Sequence, residues 1–99
     1  MSDVEVRNNS ENSRYEAWLD GERAGLAAYE TRPGSIVFTH TEVDDRYAGQ
    51  GVGGALAKGA LDDVRAGGGA YDVIPLCSFI KGYIDKHPEY ADLVHEDGA

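Results

Sequence analysis

The chain has 99 residues, 41% of them apolar, which is enough for one modest hydrophobic core and too few for a second domain. Eighteen acidic residues against nine basic ones give a formal net charge of -9, which argues against nucleic acid and anionic membranes as partners. One cysteine forms no intrachain disulfide, no apolar run approaches the roughly 18 residues of a membrane span, and the N-terminus lacks a signal-peptide pattern. We therefore expect a single cytoplasmic domain over residues 1–99.

The first half of the chain has the alternation and turn signals of short strands. Asp20-Gly21 is a two-residue hairpin signal, and Pro33-Gly34 marks the next turn. Strands are predicted over Asp3 to Asn8, Arg14 to Leu19, Glu22 to Glu30 and Ser35 to Val43. Because their connections are too short for crossovers, the four strands predict an antiparallel meander.

The second half changes to a helical period. Apolar residues recur every three or four positions from Val52 to Val64, which predicts a helix that stops at Gly67-Gly68-Gly69. A strand from Tyr71 to Leu76 follows, parallel to the fourth strand because the helix between them supplies the crossover. A second helix is predicted over Ser78 to Lys86, and Pro88 to Val94 adds one more turn. The order ββββαβα predicts an α+β domain.

Five glycines are concentrated around the start of the first helix, in RYAGQGVGGALAKG, residues 46 to 59. Glycine costs roughly 1 kcal/mol in a helix interior relative to alanine, so the cluster requires a turn, a ligand or close packing. The stretch fits the G-x-G-x-x-G dinucleotide pattern, but residues 44 to 48 separate it from the preceding strand, and Asp72 lies near the start of the next strand rather than at its end. Ala55 stands where a P-loop needs lysine. Neither nucleotide pattern therefore has its required context.

A third glycine pattern does lie between the secondary-structure elements that it requires. Arg46-Tyr-Ala-Gly49-Gln-Gly51 matches the R/Q-x-x-G-x-G/A signature of the GNAT acetyltransferase superfamily, and it lies between the fourth strand and a helix, as it does in that family. HTEV, PLCSF and YIDKHPEY extend the likeness to a small single-domain GNAT-like group from about residue 34 to residue 94. Ala48 departs from the usual arginine, and Gly54 from a frequent serine. The resemblance implies a minimal GNAT fold without helices between the first two strands.

The resemblance also implies acetyl-CoA as cosubstrate. Successive amides free of side chains at a helix N-terminus suit an anionic pyrophosphate. The residues expected at the cofactor are Thr41, Val43, Arg46, Gly49, Gln50, Gly51, Val52, Gly53 and Gly54. A backbone N–H between Thr41 and Val43 is the implied oxyanion donor. Gly54 and Gly59 are also predicted to allow close packing on the sheet, and no His or Cys spacing indicates a metal.

Three side chains are candidates for the chemistry, which needs a base for the amine and a proton for the leaving thiolate. His40 and Glu42 are two apart, so in a regular strand they face one side, shared with Ile36 and Phe38; a β-bulge could separate them. Cys77 precedes the second helix, whose dipole favours a thiolate. The resemblance implies that Cys77 and His40 lie near the acetyl group, with the cysteine as acyl carrier or general acid. Equally, free cysteines are commonly small buried apolar residues, and strand histidines are commonly structural.

The sequence thus predicts an N-acetyltransferase that moves acetyl from acetyl-CoA to an amine. The acceptor, a small molecule or a protein, is not specified, although the acidic charge favours cationic acceptors. We expect a monomer or weak homodimer without nucleic acid or membrane partners. The alternative is a coenzyme A-binding adaptor with little turnover, because the truncated fold has no obvious acceptor pocket.

Overall fold

The computed structural model describes residues 4–68 and 71–94. Its elements, in chain order, are β1 (Glu5–Asn9), β2 (Arg14–Leu19), β3 (Glu22–Arg32), β4 (Ser35–Val43), α1 (Val52–Ala66), β5 (Asp72–Pro75) and α2 (Ser78–Lys86). Short 3-10 helices cover Ser10–Asn12, Asp45–Tyr47 and Pro88–Leu93. The predicted α+β order ββββαβα is confirmed. Within the described ranges, neither helix is long and apolar enough to cross a membrane.

The predicted bounds of β2, β4 and α2 are confirmed, and those of the other strands differ slightly. Asp3, the predicted start of β1, lies outside the described residues, as does Gly69 of the predicted helix stop. β3 continues to Arg32 because the Pro33-Gly34 turn is tight, so the last residues of β3 still pair with the first of β4. β5 ends at Pro75, which has no backbone N–H to continue the ladder.

The five strands form one sheet in chain order. β1 to β4 are antiparallel neighbours, and β5 pairs parallel to β4 after the α1 crossover. Asp20 and Gly21 both have positive φ, 52° and 80°, which is the geometry that an Asp-Gly hairpin turn requires. The predicted meander and parallel strand are therefore confirmed.

The core lies on one face of the sheet. Buried side chains from that face and from both helices form a single cluster, which includes Tyr15, Ala17, Ala27, Tyr29, Ile36, Phe38, Leu56, Leu61, Val73 and Ile80.

Gly59 lets α1 approach β1, since a Cβ added there would lie 2.7 Å from Cβ of Val6. A Cβ added at Gly54 would have no atom within 4 Å, because Gly54 lies on the opposite side of the helix from Val52 and Leu56. The predicted close packing is thus confirmed for Gly59 and wrong for Gly54.

α2 and the turn after it run alongside α1. The ring of Phe79 lies against Gly53, and the hydroxyl of Tyr90 donates a 2.7 Å hydrogen bond to Asp62. Further along, Arg65 binds the carboxylate of Asp92. These contacts hold α2 and the following turn against α1, while the hydrogen bond from the Cys77 amide to the Phe38 carbonyl holds the start of α2 beside β4. The predicted turn after α2 is confirmed, with Tyr90 buried.

Candidate active site

β4 contains a β-bulge at Thr39. Ala28 of β3 pairs with His40, whereas the next residue, Tyr29, pairs with Phe38, so Thr39 is the extra residue in the ladder. Its hydroxyl donates to the carbonyl oxygen of Ala28 at 3.4 Å. An extra residue shifts the alternation of side chains between the two faces, so the bulge decides which groups of β4 can meet.

The bulge reverses the expected orientation of the candidate base. Phe38 and Thr41 face the helices, whereas His40 and Glu42 face away from them. The prediction that His40 and Glu42 share a side with Ile36 and Phe38 is therefore wrong, because it assumed a regular strand. The two residues do share a face with each other.

His40 and Glu42 form a hydrogen-bonded pair on that outer face. Nε2 of His40 lies 2.6 Å from Oε2 of Glu42, and both side chains are more than half exposed. An ionised carboxylate only accepts hydrogen bonds, so Nε2 carries the proton and donates it to this bond. In the neutral ring, Nδ1 is then the nitrogen with a lone pair. This carboxylate-oriented imidazole has the arrangement of a general base.

Cys77 lies on the helix side of β4. Its thiol sulfur is 3.2 Å from the hydroxyl oxygen of Thr41, and the residue is buried. Its backbone N–H donates to the carbonyl of Phe38, and its carbonyl accepts from Lys81 as the first hydrogen bond of α2. Cys77 is thus the N-cap of α2, as expected, although its side chain makes no capping bond. Sequence reasoning missed the hydroxyl of Thr41, because no local pattern links residues 36 positions apart.

The edge of β4 is open beyond the bulge. β5 pairs with β4 only as far as Pro75 opposite Phe38, while β4 continues to Val43. Along the described residues, positions 39–43 therefore have no strand partner on the β5 side. Backbone groups on this edge are available to an extended ligand.

Gly25 of β3 lies beside the open segment of β4, on the edge of β4 that pairs with β3. A Cβ added at Gly25 would lie 2.7 Å from the carbonyl oxygen of Glu42, so glycine lets β3 approach β4 closely there. Sequence reasoning missed this role. The signal was an isolated glycine inside a strand pattern, which often marks a close backbone approach.

A glycine turn precedes α1. Gly49 and Gly51 have φ of 82° and 77°, which only glycine adopts without strain. The amides of Gly49, Gly51, Val52, Gly53 and Gly54 donate no hydrogen bond to any acceptor in residues 4–68 and 71–94. Gln50 differs, because its amide donates to the carbonyl of Tyr47. The N-terminus of a 15-residue helix thus presents free donors and the positive end of its dipole.

Gly53 has a second reason to be glycine. A Cβ there would lie 2.8 Å from the ring of Phe79, so the absent side chain leaves room for the start of α2. Its amide is still free, and its conformation is that of an ordinary helical residue.

Arg46, the first residue of the signature, is held by carboxylates. Its guanidinium lies 3.1 Å from Glu22 and 3.3 Å from Asp44, and it stacks over Tyr47 at 5.4 Å. The hydrogen bond from Arg46 lowers the pKa of the Asp44 carboxyl below its usual value. These contacts link the turn after β4 to the start of β3, and the Arg46 side chain remains 64% exposed.

Two small cavities lie near these groups. One, of about 160 Å³, is lined by Arg23, Gly25, Leu26, Glu42 and Asp44, among others. The other, of about 240 Å³, is lined by Ser78, Phe79, Gly82, Tyr83 and Lys86. In the part of the chain that is described, no three His, Cys, Asp or Glu side chains lie close enough together to hold a metal ion.

Comparison with known proteins identifies the family. Residues 14–93 match the family described as GCN5-related N-acetyltransferase. The chain is also similar to a GCN5-like protein from Staphylococcus aureus, named as a candidate N-acetyltransferase and solved by NMR, with a TM-score of 0.68 and 26% identity over 96% of this chain and 91% of that one. No curated protein matches significantly. Since the match covers most of its length, the chain belongs to the GCN5-related N-acetyltransferase family.

Proposed function

We propose that this protein is an acetyl-CoA-dependent N-acetyltransferase that acts on an amine of a small molecule or a protein. The observation that carries the proposal is the set of free amides at the glycine turn, next to the open edge of β4. An anion site and an exposed strand edge together suit the pyrophosphate and the amide-rich pantetheine arm of one ligand.

Different parts of the chain would hold different parts of acetyl-CoA. The amides of Gly49, Gly51, Val52 and Gly53 face the pyrophosphate, and the edge of β4 over residues 39–43 pairs with the pantetheine arm. The cavity beside α2 offers Phe79, Tyr83 and Lys86 to the remaining nucleotide. Lys86 then supplies the positive charge that a 3'-phosphate requires.

The bulge divides the reacting groups between the two faces of β4. On the outer face, Nδ1 of His40 accepts the proton that the attacking amine loses, and Glu42 stabilises the resulting imidazolium. A backbone N–H between Thr41 and Val43 donates to the oxyanion of the tetrahedral intermediate. On the helix side, the Cys77 thiol donates a proton to the leaving coenzyme A thiolate as the C–S bond breaks, and solvent later restores that proton.

The burial of Cys77 favours direct transfer over an acetyl-cysteine intermediate. The residue is only 7% exposed and its sulfur contacts Thr41, so an amine arriving from the outer face meets β4 before it meets the sulfur. The cavity beside Glu42 lies on the side of this amine, and the carboxylates of Glu42 and Asp44 favour a positively charged acceptor.

Calorimetric titration with acetyl-CoA tests the binding step, with two matched glycine variants. Gly51 in the turn and Gly21 in the β2–β3 hairpin have similar φ, 77° and 80°, and a Cβ at either meets nothing within 4 Å. Alanine therefore imposes the same backbone strain of roughly 1–2 kcal/mol at both sites. We expect Gly51→Ala to weaken binding about tenfold or more and Gly21→Ala to leave it unchanged. Absence of binding to the wild type at millimolar acetyl-CoA would overturn the proposal.

Release of the coenzyme A thiol with a panel of amines tests the transfer step. The alternative is a coenzyme A-binding adaptor, which the open truncated fold also suits. Binding of acetyl-CoA without thiol release above the rate of spontaneous hydrolysis, whatever the amine, would favour that alternative.

A further inference from the structure

A third cavity, larger than the two near the glycine turn, lies at the other end of the sheet. Its volume is about 510 Å³, within the range of small-molecule sites, and it opens between the end of α1 and the β1–β2 connection. Twelve residues separate Gly51 from Asp63 on its rim, which along a helix is about 18 Å. This cavity is therefore separate from the acetyl-CoA site proposed above.

The floor of the cavity is aromatic and apolar. Tyr15, Tyr29 and Val64 are buried there, and the two tyrosine rings are 5.4 Å apart. Tyr71, which is 40% exposed, adds a third ring at the opening. An aromatic and aliphatic lining suits a compact apolar group, and aromatic rings also attract cations.

One carboxylate sets the charge of the cavity. Oδ2 of Asp63 accepts a 2.7 Å hydrogen bond from the hydroxyl of Tyr15, while Tyr29 donates to Oδ1 of Asn8 instead. Asp63 pairs with no Lys, Arg or His among residues 4–68 and 71–94, and none of these residue types lines the cavity. Burial raises the pKa of the Tyr15 hydroxyl, and the hydrogen bond to Asp63 raises it further. The phenol therefore keeps its proton and donates the hydrogen bond to Asp63. The second oxygen of Asp63 is left to accept from a ligand.

We propose that this cavity binds a small organic cation, an ammonium group on a compact apolar body, between the carboxylate of Asp63 and the rings of Tyr15, Tyr29 and Tyr71. The carboxylate disfavours anions, and the rings stabilise a cation on their faces. Neutral molecules of the same shape lack the charge–charge attraction.

NMR titration of the intact, ¹⁵N-labelled protein tests this proposal with three probes of one shape: 2-phenylethylamine, 2-phenylethanol and 3-phenylpropionate. We expect the amine to shift the amide signals of Ser13, Val64 and Tyr71, with an affinity about tenfold or more above those of the alcohol and the acid. Saturating coenzyme A should leave these shifts in place. Failure of acetyl-CoA binding would not affect this result, because the two sites share no residue.

Two pairs of variants locate the site. Asp63→Asn keeps an oxygen for Tyr15 but removes the charge, so it should weaken amine binding about tenfold. Asp62→Asn, on the same helix but outside the cavity, should not. Tyr71→Ala should weaken binding, whereas Leu76→Ala, which removes another exposed apolar side chain outside the cavity, should not. Thermal melting by circular dichroism confirms that each variant is folded.

Three results would overturn the proposal. The first is equal binding of amine and alcohol, and the second is unchanged amine affinity in the Asp63→Asn variant. The third is that the amine shifts only the amides around the glycine turn, or is displaced by coenzyme A.

Discussion

The hydroxyl oxygen of Thr41 lies 3.2 Å from the thiol sulfur of Cys77, which joins the open part of β4 to the N-cap of α2. The contact exists because the bulge at Thr39 turns Thr41 toward the helices. The contact also gives the buried Cys77 thiol a hydroxyl group with which it can share a hydrogen bond.

Removal of the Cys77 thiol should lower turnover without weakening cofactor binding. We expect Cys77→Ala to reduce kcat about 100-fold, because a positioned general acid contributes at least that much. Thr41→Val, which keeps the shape and removes the hydroxyl, should reduce kcat less. Steady-state kinetics measures both variants, and KM for acetyl-CoA should change little.

Intact-mass measurement after incubation with acetyl-CoA distinguishes the two roles of the thiol. Under direct transfer the wild-type protein gains no acetyl group. An acetyl adduct on the wild type that is absent from Cys77→Ala would establish the covalent route instead.

The pair on the outer face of β4 should control proton removal from the amine. His40→Ala should lower kcat about 100-fold or more, and Glu42→Gln about tenfold, since Glu42 orients the ring and stabilises the imidazolium but does not itself take the proton. Glu30→Gln is the matched control, because Glu30 lies on the same outer face and forms no hydrogen bond or ion pair with either residue of the pair. Equal rates for His40→Ala and the wild type across pH 6 to pH 9 would remove His40 from the mechanism.

Glu16 should make stability depend on pH. Burial raises its pKa, but hydrogen bonds from Arg14, Asn9 and Trp18 outweigh that effect, so its pKa in the folded protein lies below the usual 4.5. The unfolded chain then binds the proton more readily. The stabilisation is therefore complete above pH 4.5 and lost as the pH falls through the lowered value.

Urea unfolding of the wild type and Glu16→Gln measures this contribution. At pH 7 the variant should be less stable by roughly 1–3 kcal/mol, because the partly buried guanidinium of Arg14 loses its carboxylate. The difference should shrink as the pH is lowered below 4.5. A difference that stays constant over that range would mean that Glu16 acts through packing rather than charge.

Two glycines of α1 should respond to alanine in opposite directions. Gly54→Ala should stabilise the protein by about 0.5–1 kcal/mol, because the new methyl group meets nothing and helix propensity improves. Gly59→Ala should destabilise it by about 1–3 kcal/mol, because the methyl group would overlap Val6. Thermal unfolding compares the two directly, and a stabilising Gly59→Ala would show that β1 moves away easily.

Local patterns in the sequence determined the elements and the glycine turn. β4 and α2 were predicted with their observed bounds, since strand and helix periods and turn residues act over a few positions. The signature from Arg46 to Gly51 likewise predicted a turn with unbonded amides at the helix start, because such a turn requires only local geometry; the anion site itself stays a prediction.

Tertiary structure decided which side chains meet. The bulge at Thr39 depends on the register of β4 against β3, and that register depends on contacts far apart in sequence, so His40 was predicted on the wrong face. Thr41 meets Cys77 only after α1 carries the chain across the sheet. Gly54 and Gly59 look alike in the sequence, yet only Gly59 faces β1, because the helix packs against the sheet along one side.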